Sequence, residues 1–437
     1  MAKTSAKTLK AGAKIYNAAI ANDETLKVLP RATNNNIGDI SNILFNDSYQ
    51  PQLNQFVNNL INRIALTIIR NKSYNNPLAV FKKGSIPLGT DIQDVFTNPA
   101  NAEQYELSDV AMQKLLTITD PDTHVAYYRR NRQDMYTKTI AREALQGAFE
   151  SWDNFEGYVA SITNSLYSGN YISEFNYTKD LIDGAFDNGK IITEVVTEPT
   201  DEASSNAFLK QVKTIYDMMT FPSSNYNAYS KFSGANGTIT TWTEPDRIVL
   251  IIRADVMNTI DVDALARAFN IDKASFMGRI YKVDKFRNEN LLGVICDEAF
   301  LQIYDNVFRF DEFYNARVMA WNQYLHAWSV FAICPFANAV AICTEEPKEV
   351  TNITIANAAI ALEMTSPEGK TIDVTVTPTG ATTTIDYTVA DPTVVELTVN
   401  TNTNITLKPL KVGSTTITAK ASNGTTATQT INVTAGA

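Results

Sequence analysis

The sequence predicts an α+β chain that ends in a small all-β sandwich, and three observations carry that prediction. A helical apolar period runs through "NFEGYVASITNSLYSGNYISEFNYTKDLIDGAF". Strand-sized apolar runs such as "IVLII" and "LLGVIC" are followed by turns and helical pieces, without a regular strand–helix alternation. Past about Glu345 the composition turns abruptly to Thr, Val, Ile and Asn, with almost no aromatic residues.

Bulk properties narrow the function classes. A chain of 437 residues exceeds one compact core, so more than one domain is expected. With 44% hydrophobic and 19% charged residues it reads as globular rather than disordered. No segment approaches the run of about 20 apolar residues that a membrane span needs. The opening "MAKTSAKTLKAGAKIYNAAI" is basic but lacks an apolar h-region, and reads as a terminal arm rather than a signal peptide. A formal net charge of −10 argues against non-specific coating of nucleic acid and favours solubility. Cys296, Cys334 and Cys343 lie in apolar surroundings without a C-x-x-C pair, as buried free thiols do. With His124 and His326 as the two histidines, no Cys/His zinc site and no cofactor is expected.

The elements follow in order. Phe56, Leu60, Ile61 and Ile64 recur at helical spacing, and the tail "IALTIIR" then turns strand-like. In "NNPLAVFKKGSIPLGTDI", Pro77, Pro87, Gly84 and Gly89 break short apolar runs around Lys82 and Lys83, so no single regular element can form. Such a stretch suits a loop around a ligand or an arm that packs on a neighbour. "TDIQDVFTNPANAEQYELSD" and "TDPDTHVAYYRRNRQDMY" read as two limbs of one long excursion, with Pro99 and Pro121 as breakers. Phe155, Val159, Ile162 and Leu166 form one apolar face, continued less regularly by Ile172, Phe175 and Leu181. Asp153 or Asn154 would cap this helix, or pair of helices, and Gly184 or Gly189 would stop it. "IVLII" is a strand covered on both faces, and "DVDALARAF" starts a helix capped by Asp261 or Asp263. "RIYKVDKF", "LLGVICDEAFLQIYD" and "FANAVAICT" supply further strands. After the linker "TEEPKEV", seven alternating runs with Gly, Pro or Asn turns form the sandwich.

No catalytic constellation is present: the chain lacks G-x-S-x-G, a Walker loop, H-E-x-x-H and a strand-borne G-x-G-x-x-G. Asp261 and Asp263 suit helix capping better than a metal, and Glu150, Asp153 and Glu156 suit a solvated helix start. In "AYYRRNRQ", Tyr127 and Tyr128 adjoin Arg129, Arg130 and Arg132. Arg with aromatic neighbours can stack on bases, but it is equally the composition of protein interfaces, and the acidic chain favours the latter. His326, among Trp321, Trp328 and Phe331, reads as a core or interface histidine.

The ordered set "INRIALTIIRNKSYNNPLAVFKKGSIPLGTDIQDVFT", "RNRQDMYTKTI", "SWDNFEGYVASITNSLY", "ADVMNTIDVDALARAFN" and "FANAVAI" resembles the major capsid proteins of phi 29-like podoviruses, from about residue 35 to about 345. Separately, "VTPTGATTTIDYTVADPTVVELTV" and "LKVGSTTITAKASNGTTATQTINVT" resemble a bacterial immunoglobulin-like group 2 domain. The first resemblance implies a Hong Kong 97-type capsid fold over residues 1–345. Its arm falls at about 35–75, its E-loop within 78–135 and its spine helix at about 150–186, with axial and peripheral parts filling the rest. The second implies an immunoglobulin-like domain over 346–437. The implied role is a non-enzymatic shell protein that forms hexamers and pentamers around double-stranded DNA in a phage head. The implied partners are a separate scaffolding protein, a portal or connector and head fibres, with no membrane, and assembly in the host cytoplasm precedes residence in the virion. Lys82, Lys83, Arg129, Arg130 and Arg132 become candidate inter-subunit contacts. Two competing classes stay open: a bacterial surface adhesin, which the missing signal peptide opposes, and an enzyme carrying a β-sandwich binding module, which the missing catalytic motifs oppose.

Overall fold

The computed structural model describes residues 9–21, 23–67, 74–102, 120–232, 235, 237–260, 279–356, 358–365 and 368–436, with the side chains of 61–67 and 163 outside the description. The chain divides into two compact units, the first made of Met1–Gln93, Tyr127–Thr178 and Gln302–Ala332.

The first unit packs helices on one face of a four-stranded sheet. The strand order is Lys82–Ser85, Leu301–Asn315, Ala320–Ile333, Arg132–Ala141. Lys82–Ser85 runs parallel to its neighbour from Lys82 opposite Ile303, while Ala320–Ile333 is antiparallel to Arg132–Ala141 with Trp321 opposite Ile140. Strand alternation explains the burial: Trp321, Gln323, Leu325 and Ala327 face the core, and His326 and Trp328 take the other side. "WNQYLHAWSVF" is therefore one amphipathic strand, and His326 is not a core residue. Over the inner face sit the helices Ala11–Ile20, Ile37–Leu44 and Gln50–Thr67, with Tyr16, Phe56, Phe149, Trp152 and Phe155 at the centre of the core. The Trp152 Nε1–H donates to the Thr33 carbonyl at 2.8 Å. Gly12 rests on this tryptophan's backbone, since a Cβ there would lie 2.2 Å from the Trp152 carbonyl oxygen.

The helix Gln50–Thr67 corrects the expected strand-like turn at Ile64, because it continues through Thr67. β-Branched residues cost a helix under about 1 kcal/mol each, less than stranding the backbone groups of a broken ladder. Residues 68–70 of that expectation lie outside the described residues. The punctuated stretch forms a short 3-10 turn, Pro77–Phe81, started by the Asn76 side chain accepting from the Leu78 N–H. The strand Lys82–Ser85 follows, and Gly84 within it and Gly89 beyond it take positive φ values of +139° and +81°. Leu78 and Phe81 are buried in their own chain, while Val80 and Leu88 stay exposed.

Trp152–Asp187 is a single helix of 36 residues, about 54 Å long at 1.5 Å per residue. Its cap is Ser151, whose Oγ accepts from the Asn154 N–H at 3.1 Å, so Asp153 and Asn154 fall in the first turn. It stops at Gly189, where φ is +62°. The Gly189 N–H donates to the Phe186 carbonyl and the Lys190 N–H to that of Ala185, the Schellman pattern. Gly184 lies inside the helix.

The second unit comprises Asp94–Ala126, Lys179–Leu301 and Ile333–Ala437. Its five-stranded mixed sheet has the order Ile192–Val195, Ala339–Cys343, Leu291–Asp297, Ile248–Arg253, Ile280–Val283. "IVLII" and "LLGVICD" are buried on both faces as their continuous apolar runs require. The helix Glu202–Met219, opened by a capping box of Asp201 and Ser204, lays Phe208, Val212, Ile215 and Met219 into the same core. Asp261, Asp263 and the helix expected at "DVDALARAF" lie outside the described residues.

Cys296, Cys334 and Cys343 are buried and unbridged. Burial pushes the Cys343 thiol up to about 12, with Glu346 and Glu194 adding to the effect. The folded chain will therefore leave Cys343 unmodified by a thiol reagent at pH 8, and unfolding will expose it; peptide mapping after short exposure reads the outcome.

Residues 350–434 form strands around one further apolar core that includes Val395, Ile405, Leu407, Ile417 and Ile431. A four-stranded sheet orders Ile360–Glu363, Thr426–Thr434, Gly413–Ala421 and Ile385–Val389, and a three-stranded one orders Lys370–Asp373, Asn404–Pro409 and Val395–Thr401. These strands are clipped to the end of the long helix. The Asn188 Oδ1 accepts from the Thr384 N–H and the Ser422 hydroxyl, and the Thr382 hydroxyl donates to the Asp187 carbonyl at 3.2 Å.

Candidate assembly surface

Two of the five predicted cations are spent inside the chain. Lys82, on the first sheet strand, places its Nζ 3.0 Å from Glu174 Oε1 and 2.9 Å from Asp305 Oδ2. Arg132, with a side chain only 3% exposed, donates from Nε to Asp134 at 2.7 Å and from Nη2 to Tyr136 and Asn170. Its Nη1 lies 3.6 Å from the same Glu174 oxygen, and its guanidinium stands over the Tyr177 ring at 5.0 Å. Burial pulls both cations' pKa values down, but the surrounding carboxylates outweigh it and both are raised on balance. Glu174 thus bridges two cations on two strands to the long helix, steadied by the Asn170 Nδ2–H at 3.1 Å.

The other three point outward. Arg129 is exposed and pairs with Asp91 at 2.8 Å. Arg130 stacks over the Trp328 ring at 4.7 Å and donates to Asn306. Lys83 is exposed on the strand beside Lys82. Of the remaining sequence candidates, Asp153 forms an exposed pair with Lys10, and His326 stands 3.8 Å from Asp311.

Just before Arg129 in the chain comes a two-stranded ribbon, Ile92–Thr97 against Thr123–Tyr128, the two limbs expected around Pro99 and Pro121. Residues 103–119 of that excursion lie outside the described residues. One face docks on its own chain: Phe96 stacks on Phe336 at 5.5 Å, and the His124 ring nitrogens meet the Tyr229 hydroxyl at 2.9 Å and Asp122 at 3.1 Å. The opposite face carries an exposed apolar patch, with Val95 54%, Val125 44% and Tyr127 61% exposed, among the polar Gln93, Thr97 and Thr123. Sequence reasoning missed Glu174, Asp134 and Asp305. A signal existed for the first: Asn170 and Glu174 continue the 155–159–162–166 stripe, where an apolar residue is expected.

Among the described residues no group of three or more His, Cys, Asp or Glu is placed to hold a metal ion. Among them, too, no helix is long and apolar enough to cross a membrane. What the arrangement offers is contact surface.

The fold is shared with phage capsids. The capsid structure of Staphylococcus phage Andhra matches with a TM-score of 0.53 at 14% identity, covering 64% of this chain and 87% of that one. A structure of the head fiber and inner core protein of native bacteriophage P68 matches at 0.50 and 13% identity, covering 63% and 86%. The chain therefore has an α+β fold with mixed sheets that resembles phage capsid architecture. Residues 15–343 match the family model described as Phi29-like phage major capsid protein. The major capsid protein of Bacillus phage PZA is 33% identical over 338 residues, 76% of this chain and 73% of that protein. That of Bacillus phage B103 is 33% identical over 351 residues, 79% and 75%. The chain belongs to the Phi29-like phage major capsid protein family, and its role is that of a self-assembling structural protein of a tailed bacteriophage.

Proposed function

We propose that the chain is a Hong Kong 97-type shell subunit that assembles into hexamers and pentamers, and that the bare face of the Ile92–Thr97 and Thr123–Tyr128 ribbon is covered by a neighbouring copy. In this reading residues 1–345 are the shell domain, with the arm at about 35–75, the E-loop within 78–135 and Trp152–Asp187 as spine helix. Residues 346–437 are an immunoglobulin-like domain fastened at the end of that helix. The single observation carrying the reading is a ribbon with one side docked on its own chain and an apolar patch, Val95, Val125 and Tyr127, left exposed on the other. Two strands cannot persist alone in water, and exposed Val95, Val125 and Tyr127 are costly unless a partner removes them from it. Obligate interfaces of about 2,000–5,000 Å² draw most of their cohesion from such surface. Lys83, Arg129 and Arg130 are the cations placed to set register against the neighbour. Lys82 and Arg132 act one step removed, holding the strands that carry the others. A separate scaffolding protein, a portal or connector, head fibres and packaged double-stranded DNA complete the proposed partners, with assembly in the host cytoplasm before residence in the virion.

The experiment is the pair of variants Val95→Asp and Tyr127→Asp, followed by light scattering and electron microscopy with the scaffolding partner present. Both are expected to fold, with far-UV circular dichroism unchanged, and to stop short of capsomers and shells. Normal shells from both variants would remove the ribbon from the interface.

A further inference from the structure

The strands Leu301–Asn315 and Ala320–Ile333 lie side by side in the first unit's sheet, and one polar pair in their midst is left half-made. Gln323 is fully buried. Its Nε2–H donates to Glu312 Oε2 at 2.9 Å, while its Oε1 is buried without a donor. An amide and a neutral carboxyl group complement each other completely, each giving one hydrogen bond and taking one. An ionised carboxylate can only accept, so it cannot supply the missing donor.

The surroundings favour the neutral form. Lys138, on the third strand opposite Gln323, is exposed. Tyr314 on the same strand as Glu312, and Tyr158, Tyr167 and Tyr171 on the long helix, are phenols packed on or within this core. Arg142 and Asp47, at the turn end, are paired with each other. Lys82, Arg132, Asp134, Glu174 and Asp305 form their own group further along the same strands. Burial pushes the Glu312 carboxyl up to about 7, offset only in part by the Gln323 hydrogen bond.

We propose that Glu312 and Gln323 are a proton-operated clasp between the two strands: neutral Glu312 donates from Oε1 to Gln323 Oε1 and accepts from Nε2, and loss of that proton to solvent opens one of the two bonds. The folded carboxyl holds its proton more tightly than the unfolded one. The clasp's contribution is therefore full below the ordinary carboxylate range, declines as pH rises from there through about 7, and is gone above about 8.

Amide hydrogen exchange on the full chain tests this. After correction for intrinsic exchange, protection of the two strands is expected to fall about tenfold between pH 6 and pH 8. In Glu312→Gln, where an amide makes both bonds at any pH, the protection should stay level. Infrared spectra of the wild-type chain give an independent reading: a protonated-carboxyl stretch at pH 6 that vanishes by pH 8 and is missing from the variant. An equal pH dependence in Glu312→Gln, or a wild-type carboxyl already ionised at pH 6, would overturn the proposal.

Discussion

Replacing Glu174 by alanine will destabilise the first unit by about 3–5 kcal/mol, the penalty for removing one partner from a buried ionic group. Glu174 is only 6% exposed and serves Lys82 and Arg132 at once. Without it the Arg132 guanidinium stays buried, with Asp134 as its remaining carboxylate, and Lys82 keeps Asp305 alone. The loss is not one of attraction only. The Asn170 amide, itself fully buried, also loses the acceptor for its N–H. Denaturant unfolding followed by tryptophan fluorescence measures the change. A companion Lys82→Met variant should be milder, because it withdraws the more exposed cation and leaves Arg132 paired. A Glu174→Ala chain as stable as wild type would mean that water replaces the carboxylate at no cost, and that the network is ornamental.

Trp152→Ala will cost about 3–5 kcal/mol by the same measurement. The indole fills the centre of the core, 5.8 Å from the Tyr16 ring, 6.1 Å from Phe155 and 6.5 Å from Phe149 between centroids. Its removal leaves a cavity that rigid helices and a sheet cannot collapse into. It also strips the Thr33 carbonyl of its donor. Trp152→Phe separates the two terms: it keeps much of the packing, loses the hydrogen bond, and should cost about 1–3 kcal/mol. If the phenylalanine variant were as damaged as the alanine one, the hydrogen bond would outweigh the packing.

The parts of this architecture legible in the sequence are those whose signal is local. Phe155, Val159, Ile162 and Leu166 announce the long helix because its apolar stripe needs no partner to be seen. The C-terminal strands are legible for the same reason, since alternation and turn residues repeat every few positions. Glu202–Met219 was equally readable, with Phe208, Val212, Ile215 and Met219 at helical spacing, and passed unremarked. The turn to strand expected at Ile64 overweighted β-branched composition against the continuity of a helix already under way. The ionic network is a different matter. Lys82, Arg132, Glu174 and Asp305 come from four separate segments, and nothing in the neighbourhood of Lys82 indicates that it faces inward while Lys83 does not. Only the strand's alternation, once its pairing is known, distinguishes the two. The ribbon's bare face lay between these extremes. The broken apolar runs marked an unusual surface, but which side was already covered by Phe336 and Tyr229 required the fold.

The parallel pairings in the two sheets set the timetable on which this chain can be made. Ile192–Val195 waits for Ala339–Cys343, roughly 150 residues later, and Lys82–Ser85 waits for the segment at Ile303, more than 200 residues later. At roughly 5–20 residues per second on the ribosome, those strands stand as open edges for about 7–45 s before their partners emerge. During that interval each has unpaired backbone groups that any other strand could take, including the same strand of a nascent neighbour. Every further copy of the chain runs that risk again. The yield of usable subunits then depends on how slowly and how coolly they are synthesised, as much as on how stable they are once folded.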